Sequence, residues 1–173
     1  GHMFSDGCSV IDVRDAKNPK TVAFIAAPKN TRSHHLLIHG DILLAVNGPN
    51  IWAMQQYASQ AYDYGKSLAV SVQTEQPFGA GVRAFDVSNP AAPREIGFLN
   101  TAGLGAHRIW WVGGRYAYVS VHFEGFIDHV LAIVDVSEPT KPALAGRWWL
   151  PGMHLAGGKP APASFGKRTE LHH

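Results

Sequence analysis

Histidine is the residue type through which this chain is best equipped to do chemistry. Beyond His2 there are nine: His34, His35, His39, His107, His122, His129, His154, His172 and His173. A neutral imidazole binds transition metals through either ring nitrogen and moves protons near physiological pH. The densest group is His122-Phe-Glu-Gly-Phe-Ile-Asp-His129, where two imidazoles share one short segment with two carboxylates, Glu124 and Asp128. A carboxylate so placed either completes a metal site or orients a ligating imidazole from behind. Arg108, beside His107, adds a planar cation suited to a carboxylate or a phosphate.

Other catalytic signatures fail on inspection. Gly65-Lys66-Ser67 has the end of a phosphate-binding loop, yet Gln60 stands where its first glycine belongs. Gly103-Leu-Gly105 lacks the third glycine of a dinucleotide fingerprint. No Gly-x-Ser-x-Gly elbow and no His-Glu-x-x-His helix occurs. Cys8, the single cysteine, lies in an apolar strand-like run and is expected to be a packed thiol. It excludes an internal disulfide and any multi-cysteine metal site.

Fifteen positive groups against 13 negative ones, a net charge of +2, give no electrostatic footprint for nucleic acid. Hydrophobic residues at 46% and charged residues at 16% argue for a folded domain over disorder. No apolar run approaches the roughly 18 residues of a membrane-spanning helix. Residues 1–3, Gly1-His2-Met3, read as a scar of tag cleavage and are left out of the fold.

The elements that must position these side chains are announced by a repeated phrase. Its three copies are Ser9-Val-Ile-Asp-Val-Arg-Asp-Ala-Lys-Asn-Pro19, Val82-Arg-Ala-Phe-Asp-Val-Ser-Asn-Pro-Ala-Ala-Pro93 and Leu131-Ala-Ile-Val-Asp-Val-Ser-Glu-Pro-Thr-Lys-Pro142. Each is a short apolar run without helical period, closed by Asp-Val and a proline-bearing turn, and suits a strand covered on both faces. Asp12, Asp86 and Asp135 are placed to accept backbone N–H groups where the strand stops. Thr21–Ile25, Glu95–Leu99 and Leu144–Trp148 read as the strands that follow. His34–Val46 and His107–Val119 read as hairpins, turning at Gly40-Asp41 and at Gly113-Gly114. The chain is therefore all-β, and four short antiparallel strands per repeat describe a blade of a β-propeller.

Leu131-Ala-Ile-Val-Asp135 resembles the strand for which LVIVD-repeat proteins are named. The stretch Arg115–Gly158, with Asp-Val-Ser-x-Pro-x-x-Pro and Gly146-Arg-Trp-Trp-Leu-Pro-Gly152, is similar to LVIVD-repeat propellers of bacteria and archaea. Thr31-Arg-Ser-His34 and Leu171-His-His173 resemble their loops. The likeness spans nearly the whole chain apart from residues 48–81, and the second copy departs from it in reading Arg83-Ala-Phe-Asp86. It implies a propeller and an extracytoplasmic or cell-surface setting, and it names no activity.

Blade boundaries follow from the repeat. Residues 4–30 are expected to hold strands three and four of a partial first blade, 31–100 a second blade, and 101–150 a third. Residues 151–173 then form a long connection toward a missing next blade. The insert 48–81 interrupts the second blade, and Ile51–Leu68 carries Trp52, Met54, Tyr57, Ala58, Ala61, Tyr62 and Tyr64 at spacings partly compatible with a helix. At roughly 45 residues per blade, the chain is expected to be an incomplete arc of about two and a half blades. The remaining blades of a longer chain, or symmetry-related copies, would cover its exposed ends.

In an up-and-down meander, the starts of odd strands and the ends of even strands share one side. All the histidines beyond His2 except His39 then fall on the side that bears the long loops. His34, His107 and His172, at the starts of innermost strands, are the expected ligands of a transition metal at the channel mouth. Arg108, His122, Glu124, Asp128 and His129 are the expected ligand-binding group, while His35, His154 and His173 are expected to be solvated. The leading reading is a module that binds a protein partner or small ligand through this face. A metal-dependent enzyme, redox chemistry included, with a histidine-ligated metal at the channel mouth is the alternative, and a structural repeat domain of a larger surface protein is the third. A histidine at the start of each blade can equally lock neighbouring blades together.

Overall fold

A computed structural model describes residues 7–50, 77–157, 160, 162–163 and 171, with His34 described by its backbone alone. Every regular element among them is a β-strand. The first copy of the repeat gives β1 (Gly7–Asp12) and β2 (Lys20–Ala26), an antiparallel pair. A second sheet follows in the order β3 (Thr31–His39), β4 (Ile42–Pro49), β5 (Gly81–Asp86) and β6 (Arg94–Asn100). The third contains β7 (Gly105–Trp110), β8 (Tyr116–His122), β9 (Val130–Asp135) and β10 (Ala143–Trp148), again in chain order. Each strand pairs antiparallel with its successor, so both four-stranded sheets are meanders.

The turns obey the residues that build them. Gly40, at the first central position between β3 and β4, has φ 56°, as a type II′ hairpin requires. The Asp-Val phrase ends each third strand by a side-chain cap. Ser88 donates its N–H and its hydroxyl to Asp86 Oδ1 at 2.9 and 2.7 Å, and Ser137 does the same to Asp135. In the first copy the Arg14 N–H donates to Asp12 Oδ1 at 3.0 Å. The serine hydroxyl and N–H, with Arg94 or Arg115 beyond them, hold Asp86 and Asp135 down at about 2. These ion pairs lie at the surface, where such pairs contribute little, so their role is to fix the turn.

A repeat invisible in the residue types is a shared irregularity. The ladder skips Val22 in β2, Ile96 in β6 and Ala145 in β10, the same place in all three sheets. It also skips His34 in β3 and His107 in β7, each the bulged residue near the start of its strand. Bulges re-aim side chains and increase local twist.

The core lies mainly between the second and third sheets. Leu44 pairs with Ala84 and Val46 with Val82, which places these four on one face. They cluster with Ala106, Ile109, Ala117, Val119, Val121, Ala132 and Val134 of the third sheet. Burying a Val or Leu side chain contributes roughly 1.5–3 kcal/mol, against about 0–1 kcal/mol for a surface ion pair, so this apolar layer dominates. Where the two sheets meet, backbone approaches backbone. Gly105 has φ 79°, and a Cβ there would stand 2.5 Å from the Asn47 carbonyl oxygen. Gly105 therefore serves the close approach of the two sheets.

Arg83, the departure from the apolar repeat, joins the first sheet to the second. It is buried, donates through Nη1 to the Ala26 carbonyl at 3.0 Å, and clasps Glu95 at 2.6 and 3.0 Å. The expected helix Ile51–Leu68 lies outside the described residues. The two ends of the insert are drawn together, since Asn50 N–H donates to the Asn30 carbonyl at 2.8 Å and Asn30 Nδ2 donates to the Pro77 carbonyl at 3.3 Å.

Candidate functional site

β8 and β9 pair as far as Val121 and Val130, and one further step of that register sets His122 opposite His129. The loop between them is built as a rigid bracket. Phe123 and Phe126 are buried, and the Phe126 N–H donates back to the Phe123 carbonyl at 3.3 Å across a turn whose Gly125 has φ 87°. The chain after β10 straps this loop down. Ile127 N–H donates to the Met153 carbonyl at 3.0 Å, and Leu155 N–H to the Gly125 carbonyl at 2.9 Å. His154 and Trp149 stack edge-on against Phe126, at 4.7 and 5.1 Å between ring centres.

Asp128 and His129 are both buried. Asp128 Oδ1 accepts the His129 backbone N–H at 2.7 Å and lies 2.8 Å from its Nδ1. A carboxylate there favours the proton on Nδ1 and leaves the lone pair on Nε2. The His107 ring is 5.5 Å from that of His129, and the His122 ring 6.0 Å from it. His122 has the opposite tautomer, because its Nδ1 accepts the Leu104 N–H at 3.2 Å. Burial, and then the neighbouring His129, pushes His122 down to about 4 against the opposing pull of Asp128, so it is neutral near pH 7. The cluster therefore combines three imidazoles and one carboxylate, with an acceptor nitrogen on His129 and a donor nitrogen on His122.

Of the residues singled out in the sequence, the fold brings His107, His122, Asp128 and His129 together. Glu124 is exposed at the tip of the turn. Arg108 lines a different feature, a cleft of about 570 Å³ shared with His35, Trp110, Tyr118, Leu131 and Trp148. His172 and the side chain of His34 lie outside the described residues, as does His173. Among the described residues, no group of three His, Cys, Asp or Glu side chains is arranged to hold a metal ion.

Two histidines expected to be solvated are not. His35 Nδ1 accepts the Ile109 N–H at 3.0 Å, so it ties β3 to β7 across the sheet junction. His154 is partly buried against Phe126, because the strap that carries it pairs with the loop. Cys8 is the packed thiol expected, and burial raises its pKa. The sequence reading missed a second polar group. Thr31 and Ser33, on one face of β3, are buried beside Asn47, and the Ser33 hydroxyl donates to Asn47 Oδ1 at 2.7 Å. The period-two spacing of Thr31 and Ser33 was its only signal.

Stacked antiparallel meanders with one capped turn and one bulge in register define a protein of the all-β repeat class. The model of the LVIVD repeat matches residues 80–101 and 105–149, and these matches support an assignment to the LVIVD-repeat family. Such repeats suggest a propeller-like fold. The first copy, Ser9–Pro19, lies outside the matched segments yet has the same pairing and bulge. No curated protein matches the chain. No helix among the described residues is long and apolar enough to cross a membrane.

Proposed function

We propose that this chain is a propeller module whose sheets are blades, and that it binds a small polar ligand at the end where His107, His122, Asp128 and His129 meet. The observation that carries this reading is the Asp128–His129 pair. A buried carboxylate fixes one imidazole at 2.8 Å, on a loop strapped from behind, with two further imidazole rings within 6.0 Å. Holding buried polar groups in one arrangement is costly unless they are satisfied, and a rigid loop is how binding residues are pre-organised. An imidazole can donate or accept a hydrogen bond, which suits a ligand carrying a hydroxyl, carboxylate or phosphate.

The test is a long-range proton–nitrogen spectrum of the imidazoles during titration with sodium phosphate, sodium succinate and zinc chloride. Saturable movement of the His107, His122 and His129 signals with phosphate or succinate, lost in Asp128→Asn, supports the reading. Signals unmoved by every probe overturn it. Metal binding is the second reading, favoured by the same carboxylate-backed imidazole, which is the arrangement that tunes metal-bound histidines. Movement with zinc alone, at one ion per chain, would select it.

A further inference from the structure

The chain exposes two apolar sheet faces, one at each end of the stack. On the third sheet, Trp110 and Trp148 are 65% and 53% exposed, Tyr118 pairs with Trp110, and Leu131 pairs with Trp148. On the first sheet, Ile11 and Phe24 are 51% and 58% exposed. Contiguous aromatic and aliphatic surface of this kind marks an interaction site, unlike single scattered side chains.

Sheet register says what each face is for. Val82 and Ala84 in β5 occupy the places that Leu131 and Ile133 hold in β9, counted from Asp86 and Asp135. In the second sheet Val82 and Ala84 are fully buried in the core shared with the third sheet. In β9 the same face carries Leu131 beside the exposed Trp148. Likewise Ile11 in β1 corresponds to Val134 in β9, whose face is covered by the second sheet. The two exposed faces are therefore the two halves of the interface already made once inside the molecule. One is the face a following sheet covers, and the other is the face a preceding sheet covers.

We propose that the occupant of the Trp148 face is a second copy of this chain, seated through the Ile11 and Phe24 face of its two-stranded sheet. The contact is head-to-tail, continuing the internal sheet-on-sheet packing across a chain boundary. Because the two faces differ, the interface is heterologous and needs no self-complementary patch. Arg108 sits on the same side, with its buried Nε lacking an acceptor among the described residues.

Sedimentation velocity over a hundredfold concentration range tests this with the 173-residue chain. Reversible dimers or closed rings are expected, with Trp148→Glu and Phe24→Glu each weakening association at least about tenfold. Mixing the two variants gives the decisive result. Each retains the face that the other has lost, so the mixture is expected to form one-to-one heterodimers. A wild type that stays monomeric at every concentration overturns the proposal. Variants that associate as well as the wild type do so too, as does a mixture that fails to rescue association, which would indicate a symmetric contact instead. Far-UV circular dichroism of both variants, unchanged from wild type, separates lost association from lost folding.

Discussion

His122 should set the first phase of acid destabilisation in this protein. Its imidazole is buried at the end of β8 and held at about 4, from an ordinary value of 6.5, chiefly by burial. The folded state therefore refuses a proton that the unfolded chain accepts. Above about pH 7 both states are neutral and the residue contributes no pH dependence. As pH falls from there toward 4, the unfolded state binds more protons and stability declines. By linkage the loss is roughly 2 kcal/mol at about pH 4.5 and on the order of 3 kcal/mol once both states are protonated. His122→Asn removes the titrating group and keeps an acceptor near the Leu104 N–H. Urea unfolding followed by tryptophan fluorescence, at one protein concentration and a series of pH values, gives both stability curves. The wild type should fall more steeply than the variant between pH 6.5 and 4, whatever their offset at pH 7. Parallel curves, or a wild type that gains on the variant as acid is added, would mean that His122 is charged in the fold and that its neutrality has been misjudged.

Below that window a second phase belongs to the turn aspartates. Asp86 and Asp135, held at about 2 by their serine and arginine partners, support the fold above their unfolded value of 3.8, and that support is lost as pH falls through 2. Replacing Asp135 by Asn, which still accepts the Ser137 N–H, should cost less stability in urea unfolding than Asp135→Ala, which removes the cap altogether. Gly105→Ala should cost about 2 kcal/mol or more, since it forces a side chain into the left-handed region and against the Asn47 carbonyl. A stability within error of wild type would show that the sheet junction yields there. Arg83→Met should lose about 1–3 kcal/mol, with amide exchange accelerated most in β1 and β2, because Ala26 loses its cross-sheet donor. Uniform acceleration across all three sheets would argue against that link.

The repeated Asp-Val phrase made the strands and their order legible, because a local cap and a proline turn act through neighbours in sequence. Asp86 and Asp135 carry that information in the residues two positions on. The hairpin at Gly40 was legible for the same reason, since a positive φ favours glycine wherever the chain goes next. The pairing of His122 with Asp128 and His129 was half legible. Their closeness in sequence suggested a cluster, and strand alternation placed them at one end of a sheet.

What sequence could not assign was the partner of each side chain across a junction. His35 meets the Ile109 N–H because a bulge at residue 34 shifts the ladder by one, and a one-residue shift exchanges the faces of a strand. Arg108 and Glu124 stood beside the cluster in sequence, yet one lines the far cleft and the other faces solvent. Period and turn chemistry are local and can be read from residue types. The choice of which histidines share a site depends on bulges and on how sheets stack, and those are set by contacts between residues far apart in the chain.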